Sequence, residues 1–297
     1  MIAPGVYPAA VTPLDERGRL DFAGLAKLLA WFESAGCQGA VLAGTNGEGP
    51  SLSAVEKREL IEQGMELRGK LELILGIATP SLEEAVWLCR RGADAGAAAA
   101  LVMAPGYFRE ATEQGIHDWF GELLVRSPLP VLVYNFPQRT GITLSASLMK
   151  KLAEHPNMAG LKDSSGDETN LASYRLALPE DKVLFVGNET LLLDALRAGW
   201  SGTISGAANS VPHWLSQIVA EWNDGKRESA EAKFSILLPV LEAIRTTSQP
   251  AGHKGVLHAY GVLPTSSLKL PLERAGAETV RSLLQTIEQA TGNAVRP

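Results

Sequence analysis

Short apolar runs alternate with longer amphipathic stretches from the start of the chain to about residue 211. The eight runs are Val6–Val11, Gly39–Ala43, Leu71–Ile77, Ala98–Met103, Val131–Tyr134, Met158–Leu161, Val183–Val186 and Thr203–Ser205. Most of them are rich in Val, Leu or Ile and show little polar alternation. This pattern is typical of strands that are buried on both faces.

The stretches between the runs have the apolar spacing of helices that cover a sheet. One such face consists of Phe22, Leu25, Leu28, Leu29 and Phe32. Eight strand–helix repeats predict an α/β fold, the (β/α)8 TIM barrel. A doubly wound open sheet is the alternative, but it usually carries a Gly-rich dinucleotide turn after its first strand. Here Thr12-Pro13-Leu14-Asp15 follows instead.

Two of the predicted helices begin with the pattern of a capping box, Ser53 with Glu56 and Ser81 with Glu84. In such a box the Ser hydroxyl accepts from an amide of the first turn, while the Glu side chain accepts from the amide of the cap residue. Both boxes mark the points where a helix is expected to start.

The alternation stops after Val211, and Pro212 suits the first turn of a helix. No strand or linker separates the helical stretches that follow, which are Trp214–Trp222, Ser229–Thr246, Lys254–Tyr260 and Ala277–Ala290. We therefore expect one domain, with a barrel core over residues 1–211. The last barrel helix and a C-terminal helical extension, residues 212–297, are expected to pack on it.

Composition and charge narrow the class of protein. The chain is 45% hydrophobic and 20% charged, has a net charge of −6 and lacks a basic block, so we expect no nucleic-acid or membrane partner. No signal peptide is recognisable, and the run from Ala93 to Pro105 is shorter than the roughly 20 residues of a membrane span. The two cysteines, Cys37 and Cys89, are predicted to be buried thiols of a cytoplasmic protein.

Polar residues follow four of the predicted strands. These segments are Gly44–Gly49, Pro105–Tyr107, Tyr134–Gly141 and Lys162–Gly166. In a barrel the C-terminal ends of the strands form one face, and active sites lie there. The four segments are therefore the candidates for chemistry.

Lys162 comes directly after an apolar strand. It could cap that strand and reach solvent, or it could form a Schiff base, because desolvation favours the unprotonated amine that attacks a carbonyl. Tyr134 likewise could make one structural hydrogen bond or transfer protons. Arg139 could bind a carboxylate in bidentate fashion or lie on the surface.

The sequence does not support a phosphate-binding P-loop, a metal site or a serine hydrolase. The Gly44–Gly49 loop could turn amides toward an anion, but no Gly-Lys-Ser/Thr follows it as in a P-loop. The five histidines form no HxxxH or HExxH pattern, and no Gly-x-Ser-x-Gly elbow is present. We expect no metal and no cofactor.

Three segments together resemble the signatures of the dihydrodipicolinate synthase / N-acetylneuraminate lyase family, in the same order and spacing. They are Thr45-Asn46-Gly47-Glu48, Tyr134-Asn135-x-Pro137-x-Arg139-Thr140-Gly141 and Gly160-Leu161-Lys162-Asp163-Ser164. The resemblance runs from about Gly5 to about Ser282. It implies a (β/α)8 barrel with a helical tail and a class I aldolase that binds pyruvate as an imine.

The resemblance also implies roles for particular residues. Lys162 would form the imine, Tyr134 would donate and accept protons, and Thr45 would link it to Tyr107 of a neighbouring subunit. The amides of Thr45 and Asn46 would hold the pyruvate carboxylate, while the carbonyl of Ile204 would face the substrate. Such enzymes act on pyruvate and an aldehyde or 2-keto acid, and they are usually homotetramers built as dimers of dimers.

The second substrate remains open at this point. Arg139 resembles the arginine with which synthases of the family bind an acidic aldehyde, which favours condensation of pyruvate with aspartate semialdehyde. Asn46 and Gly106 depart from the synthase pattern, and Asn46 resembles 4-hydroxy-2-oxoglutarate aldolases and related enzymes. A non-catalytic keto-acid-binding protein is a further alternative, although binding alone would not need Lys162 or Tyr134.

Overall fold

The apolar runs assemble into a barrel in a computed structural model, which describes residues 2–292. Met1 and residues 293–297, which belong to the predicted divisions 1–211 and 212–297, lie outside the described residues. The strands are β1 (Gly5–Pro8), β2 (Gly39–Leu42), β3 (Glu72–Ile77), β4 (Ala99–Met103), β5 (Val131–Asn135), β6 (Met158–Asp163), β7 (Val183–Val186) and β8 (Gly202–Ser205). Each strand coincides with one of the apolar runs.

Helices follow the strands along the chain. They are α1 (Phe22–Ser34), α2 (Ala54–Leu67), α3 (Leu82–Ala95), α4 (Glu113–Arg126), α5 (Pro137–Thr140), α6 (Ala146–Leu152), α7 (Thr169–Ala177), α8 (Leu192–Arg197), α9 (Pro212–Asn223), α10 (Arg227–Arg245), α11 (Gln249–Ala259) and α12 (Ala277–Thr291). Short turns of 3-10 helix cover Gly49–Ser51, Glu189–Leu191 and Ala207–Asn209.

All the strand pairs are parallel, and each strand from β2 to β8 pairs with the next, while β8 pairs with β1. The remaining seam, between β1 and β2, is bridged by a single parallel contact of Ala9 with Val41. There the amide of Ala10 donates to the carbonyl of Val41 at 3.0 Å. The predicted (β/α)8 TIM barrel is confirmed, and a helical part follows it.

Two apolar layers hold the barrel together. The inner layer fills the barrel with side chains such as Tyr7, Leu132 and Ile204, and Tyr7 meets Phe185 edge-on with ring centroids 5.2 Å apart. The larger outer layer lies between the strands and the surrounding helices. The strands are thus buried on both faces, which explains why they lack polar alternation.

The first predicted capping box is confirmed and the second is wrong. Ser53 and Glu56 make both reciprocal hydrogen bonds at the start of α2. Ser81 accepts from the amide of Glu84, but the Glu84 carboxylate accepts from Thr79 Oγ1 at 3.2 Å and lies 3.7 Å from Lys57 Nζ. Because both partners lie outside α3, the Glu84 carboxylate does not accept from the amide of Ser81.

The tail differs from the prediction at α11, which begins at Gln249 and not near Lys254. Pro250 occupies its first turn, and Gly252 and Gly255 interrupt the apolar periodicity by which a helix is detected. The missed turn borders the site described below.

Cys37 and Cys89 are buried free thiols. Burial raises the pKa of Cys37 to about 12 and that of Cys89 to about 11, so neither is a nucleophile near neutral pH. Within residues 2–292 no helix is long and apolar enough to cross a membrane.

Candidate active site

Lys162 and Tyr134 are direct neighbours at the ends of β6 and β5, where the parallel register pairs them. Their exposed fractions are only 5% and 4%. The Lys162 Nζ lies 4.4 Å from the centroid of the Tyr134 ring. Successive side chains of a strand alternate between faces, so paired residues on adjacent parallel strands point the same way. An amine and a phenol therefore meet at the mouth of the barrel.

The Tyr134 ring is fixed by two neighbours. It stacks on Phe136 with centroids 5.8 Å apart, and its hydroxyl accepts a long hydrogen bond of 3.4 Å from Ser164 Oγ. Ser164 stands two residues after Lys162, so one strand end supplies both the amine and a hydroxyl partner for the phenol. The phenol oxygen therefore has a hydroxyl partner close to Lys162.

Asp163 braces the same two strand ends from behind. Its carboxylate accepts from Asn135 Nδ2 at 2.7 Å and from Ser165 Oγ at 2.7 Å. Burial raises the pKa of the Asp163 carboxyl, while these hydrogen bonds oppose the rise. The network holds β5 and β6 in register next to Lys162.

Thr45 and Asn46 lie in the turn that follows β2. Two non-glycine residues of this turn adopt the left-handed conformation, Ala43 with φ 55° and Glu48 with φ 57°. Thr12 Oγ1 donates to the carbonyl of Gly47 at 2.6 Å and fixes the turn against β1. The buried Thr45 Oγ1 has no hydrogen-bond partner among residues 2–292.

These groups converge on one cavity of about 450 Å³ at the C-terminal face of the barrel. Five of the predicted site residues line it, namely Lys162, Tyr134, Thr45, Asn46 and Arg139. The Arg139 guanidinium is exposed at the mouth, 5.9 Å from the centre of the Phe136 ring. A volume of this size accommodates a small molecule.

Two predicted site residues do not line the cavity of their own chain. Tyr107 is 78% exposed and packs edge-on against the exposed Phe108 with centroids 5.1 Å apart. Ile204 is buried inside the barrel, opposite Tyr7 in the register of β8 and β1, and Gly206, two residues later, lines the cavity. Tyr107 thus lies outside the cavity that its own chain forms.

The sequence did not predict one side of the cavity, because residues of the C-terminal tail form it. Arg245, Thr247 and Gln249 line the cavity from the junction of α10 and α11, and Leu272 lines it from the segment beyond. Asn46 Nδ2 donates to Gln249 Oε1 at 3.4 Å, which ties the turn after β2 to α11. None of these tail residues follows a strand, so the strand-end rule could not find them.

The charges of the cavity favour an anionic ligand. Lys162, Arg139 and Arg245 are basic residues, whereas Glu48 is the one acidic residue among the described lining residues. Glu48 is neutralised by the buried Lys254, whose Nζ lies 2.6 Å from Glu48 Oε1. Among the described residues, no three His, Cys, Asp or Glu side chains are grouped as a metal site.

Comparison with known proteins agrees with this geometry. A sequence model described as the dihydrodipicolinate synthetase family matches residues 3–290. The 4-hydroxy-tetrahydrodipicolinate synthase of Archaeoglobus fulgidus is 32% identical over 287 residues, which cover 96% of this chain and 98% of that relative.

Solved structures give the same result. A dihydrodipicolinate synthase from Thermotoga maritima has a TM-score of 0.92 at 27% identity, with coverage of 98% of this chain and 99% of its own. A chloride-inhibited dihydrodipicolinate synthase from Acinetobacter baumannii, in complex with pyruvate, has a TM-score of 0.91 at 28% identity and covers 98% and 99% of the two chains. Sequence and fold thus point to the same family.

Proposed function

Since this chain belongs to the dihydrodipicolinate synthetase family, we propose that it joins pyruvate to an aldehyde through an imine on Lys162. The observation that carries the proposal is the buried Lys162 Nζ, 4.4 Å from the Tyr134 ring at the mouth of the barrel. Members of this family are class I pyruvate-dependent lyases, and the pairing of amine and phenol suits that chemistry.

The reaction begins with attack of the Lys162 amine on the carbonyl carbon of pyruvate. Loss of water gives an iminium, which draws electrons from the adjacent methyl group, so that the methyl loses a proton and an enamine forms. The enamine carbon attacks the aldehyde, and its oxygen takes up a proton. With an acceptor that carries an amino group, that group then attacks the imine carbon, expels the Lys162 amine and closes a ring. With any other acceptor, water hydrolyses the imine and restores the amine. Tyr134 serves each proton transfer in turn.

The two substrates occupy different parts of the cavity. Amides of the Thr45–Asn46 turn hold the pyruvate carboxylate, with the carbonyl of Ile204 facing the bound molecule. Arg139 binds the carboxylate of the incoming aldehyde, because its guanidinium reaches the mouth and can form a bidentate pair there.

The proposed acceptor is aspartate semialdehyde, which makes the chain a 4-hydroxy-tetrahydrodipicolinate synthase. The relative from Archaeoglobus fulgidus, which bears that name, supports this choice, as does Arg139. A second candidate is cleavage of 4-hydroxy-2-oxoglutarate, because Asn46, which lines the cavity, resembles the aldolases of the family.

The proposed assembly is a homotetramer in the cytoplasm. Tyr107 is 78% exposed, and the buried Thr45 Oγ1 lacks a partner within the described part of the chain. Insertion of Tyr107 from a second copy beside Thr45 would satisfy both residues. The free thiols of Cys37 and Cys89 suit a reducing compartment.

Borohydride reduction in the presence of pyruvate tests the proposal, with intact mass and peptide mapping as the readout. We expect a reduced pyruvate adduct on Lys162 and none in Lys162→Ala, which should keep its fold and lose turnover. Turnover of the same preparation with aspartate semialdehyde and with 4-hydroxy-2-oxoglutarate then selects the acceptor. Absence of an adduct, or activity in Lys162→Ala, would rule out the imine.

A further inference from the structure

A fully buried ion pair lies behind the turn that follows β2. Glu48 Oε1 is 2.6 Å from Lys254 Nζ, and both side chains have an exposed fraction of 0%. Glu48 closes the Thr45–Asn46 turn, whereas Lys254 belongs to α11 in the C-terminal tail. The pair therefore joins the turn that is proposed to bind pyruvate to the tail.

The tail engages both oxygens of the Glu48 carboxylate. While Lys254 meets Oε1, the backbone amide of Lys269 donates to Oε2 at 2.6 Å. Lys254 Nζ also donates to the carbonyl of Ser267 at 2.6 Å, so the segment after α11 is held in the same cluster. None of these groups takes part in the proposed chemistry.

The turn that this cluster holds is strained. Ala43 and Glu48, one on each side of Thr45 and Asn46, have positive φ angles of 55° and 57°. A residue with a side chain is strained in the left-handed conformation and persists there only where its surroundings fix it. The contacts of Glu48 with the tail are such surroundings.

Stability alone does not account for the pair. Removing two charges from water is costly, and well-packed apolar residues usually stabilise a core as well as a buried ion pair does. An ion pair differs from apolar packing in fixing the direction of its groups. A fixed direction matters where backbone amides must point at a carboxylate.

We propose that Lys254 is a positioning residue for the pyruvate site: through Glu48 it sets the orientation of the Thr45 and Asn46 amides. The helical tail is then part of the site for the first substrate. This inference rests on the proposed function, since it assumes that pyruvate binds at the turn.

The test compares Lys254→Met with the double variant Glu48→Gln/Lys254→Met. The single variant leaves a buried carboxylate without its cation and should lose stability. The double variant removes both charges, and the side-chain oxygen of the introduced glutamine can still accept from the amide of Lys269, so its melting temperature should recover. We expect the KM for pyruvate to rise about tenfold in the double variant, with a smaller change in kcat.

A matched control comes from the pair of Lys57 and Glu84. Lys57 is also buried, lies 3.7 Å from its partner and joins α2 to α3 away from the cavity. Glu84→Gln/Lys57→Met should therefore keep the wild-type KM for pyruvate. A rise in KM of equal size in this control would mean that removal of any ion pair with a buried lysine loosens the site, and it would overturn the proposal.

Recovery of both KM and melting temperature in the double variant would show a merely structural pair and would also overturn the proposal. If the double variant does not fold, the KM of Glu48→Gln for pyruvate is measured instead. A rise would support the proposal, and an unchanged KM would overturn it. Borohydride trapping on the wild type separates the two hypotheses. No adduct removes the proposed function, whereas an adduct with an unchanged KM removes only this inference.

Discussion

At the scale of single residues, Lys162 and Tyr134 have separable tasks. In the proposed reaction, the amine forms the bond to the substrate and the phenol oxygen moves protons. The ring of Tyr134 also stacks on Phe136 and contacts Lys162, and neither interaction needs the hydroxyl. A substitution that removes only the hydroxyl therefore isolates proton transfer.

Tyr134→Phe should lower kcat by about a hundredfold or more while pyruvate is still trapped on Lys162 by borohydride. The loss of general acid–base catalysis slows the steps after imine formation, and the retained ring keeps the shape of the site. Steady-state kinetics and adduct mass measure the two effects. An unchanged kcat would remove Tyr134 from proton transfer.

His253 is expected to make the fold less stable in acid. It is fully buried, its Nδ1 lies 2.8 Å from Ser210 Oγ, and burial lowers its pKa from 6.5 to about 3. Between pH 6.5 and about pH 3, His253 is therefore protonated in the unfolded chain but not in the folded chain. The contribution of His253 to the free energy of unfolding should be complete above pH 6.5 and should fall as the pH drops from there toward 3.

The slope expected from His253 is about 1.4 kcal/mol per pH unit in the free energy of unfolding. His253→Asn should be less stable near neutral pH but should show a shallower decline in acid. Urea titrations at about pH 7 and about pH 5 measure this difference. Equal slopes in the two proteins would show that His253 does not govern the acid response.

At the scale of elements, the turn after β2 packs directly on β3. A Cβ atom placed on Gly76 would lie 2.7 Å from the Gly44 amide nitrogen and 2.8 Å from the Ala43 carbonyl oxygen. Both contacts are with backbone, which cannot move aside as a side chain can. The absence of a side chain at Gly76 of β3 thus allows the turn to lie against the strand.

Gly76→Ala should raise the KM for pyruvate severalfold and lower the melting temperature, since the methyl group displaces the turn. Gly121→Ala on α4 is the matched control, because a Cβ there meets nothing within 4 Å. It should keep the KM and gain a little stability from helix propensity. Steady-state kinetics and thermal unfolding of both variants measure these effects. A wild-type KM in Gly76→Ala would contradict the expected displacement of the turn.

Elements whose burial is uniform were predictable from the sequence, and elements whose partners are distant were not. The apolar runs located all eight strands because both faces of each strand are buried. Strand ends identified Lys162, Tyr134 and the Thr45 turn, since parallel strands bring their ends to one face. The start of α11 was missed because glycine and proline hide its periodicity. Arg245 and Gln249 were missed with it, because no local pattern marks a residue that reaches the barrel from the tail.

At the scale of the whole molecule, the exposed aromatic pair of Tyr107 and Phe108 supports the proposed assembly. Tyr107 is 78% and Phe108 62% exposed, which is unusual for aromatic side chains next to a catalytic face. The proposed assembly makes each site depend on two copies, with Lys162 from one and Tyr107 from the other.

Mixing two inactive variants tests that dependence. Lys162→Ala and Tyr107→Phe should each have little activity alone, but subunits refolded together should regain it in mixed dimers. One site of each mixed dimer combines an intact Lys162 with an intact Tyr107, so random pairing restores about a quarter of the sites. Activity that stays at the level of the separate variants would mean that each chain carries a complete site.

The positions of β2 and β6 have a consequence for dividing the chain. The turn of Thr45 follows β2, and Lys162 ends β6, four strands further along an eight-stranded barrel. A break between β4 and β5 would leave the anion-binding turn on one fragment and the amine and phenol on the other. Neither half could form an adduct with pyruvate alone, so the adduct would report the joining of the two fragments into one barrel.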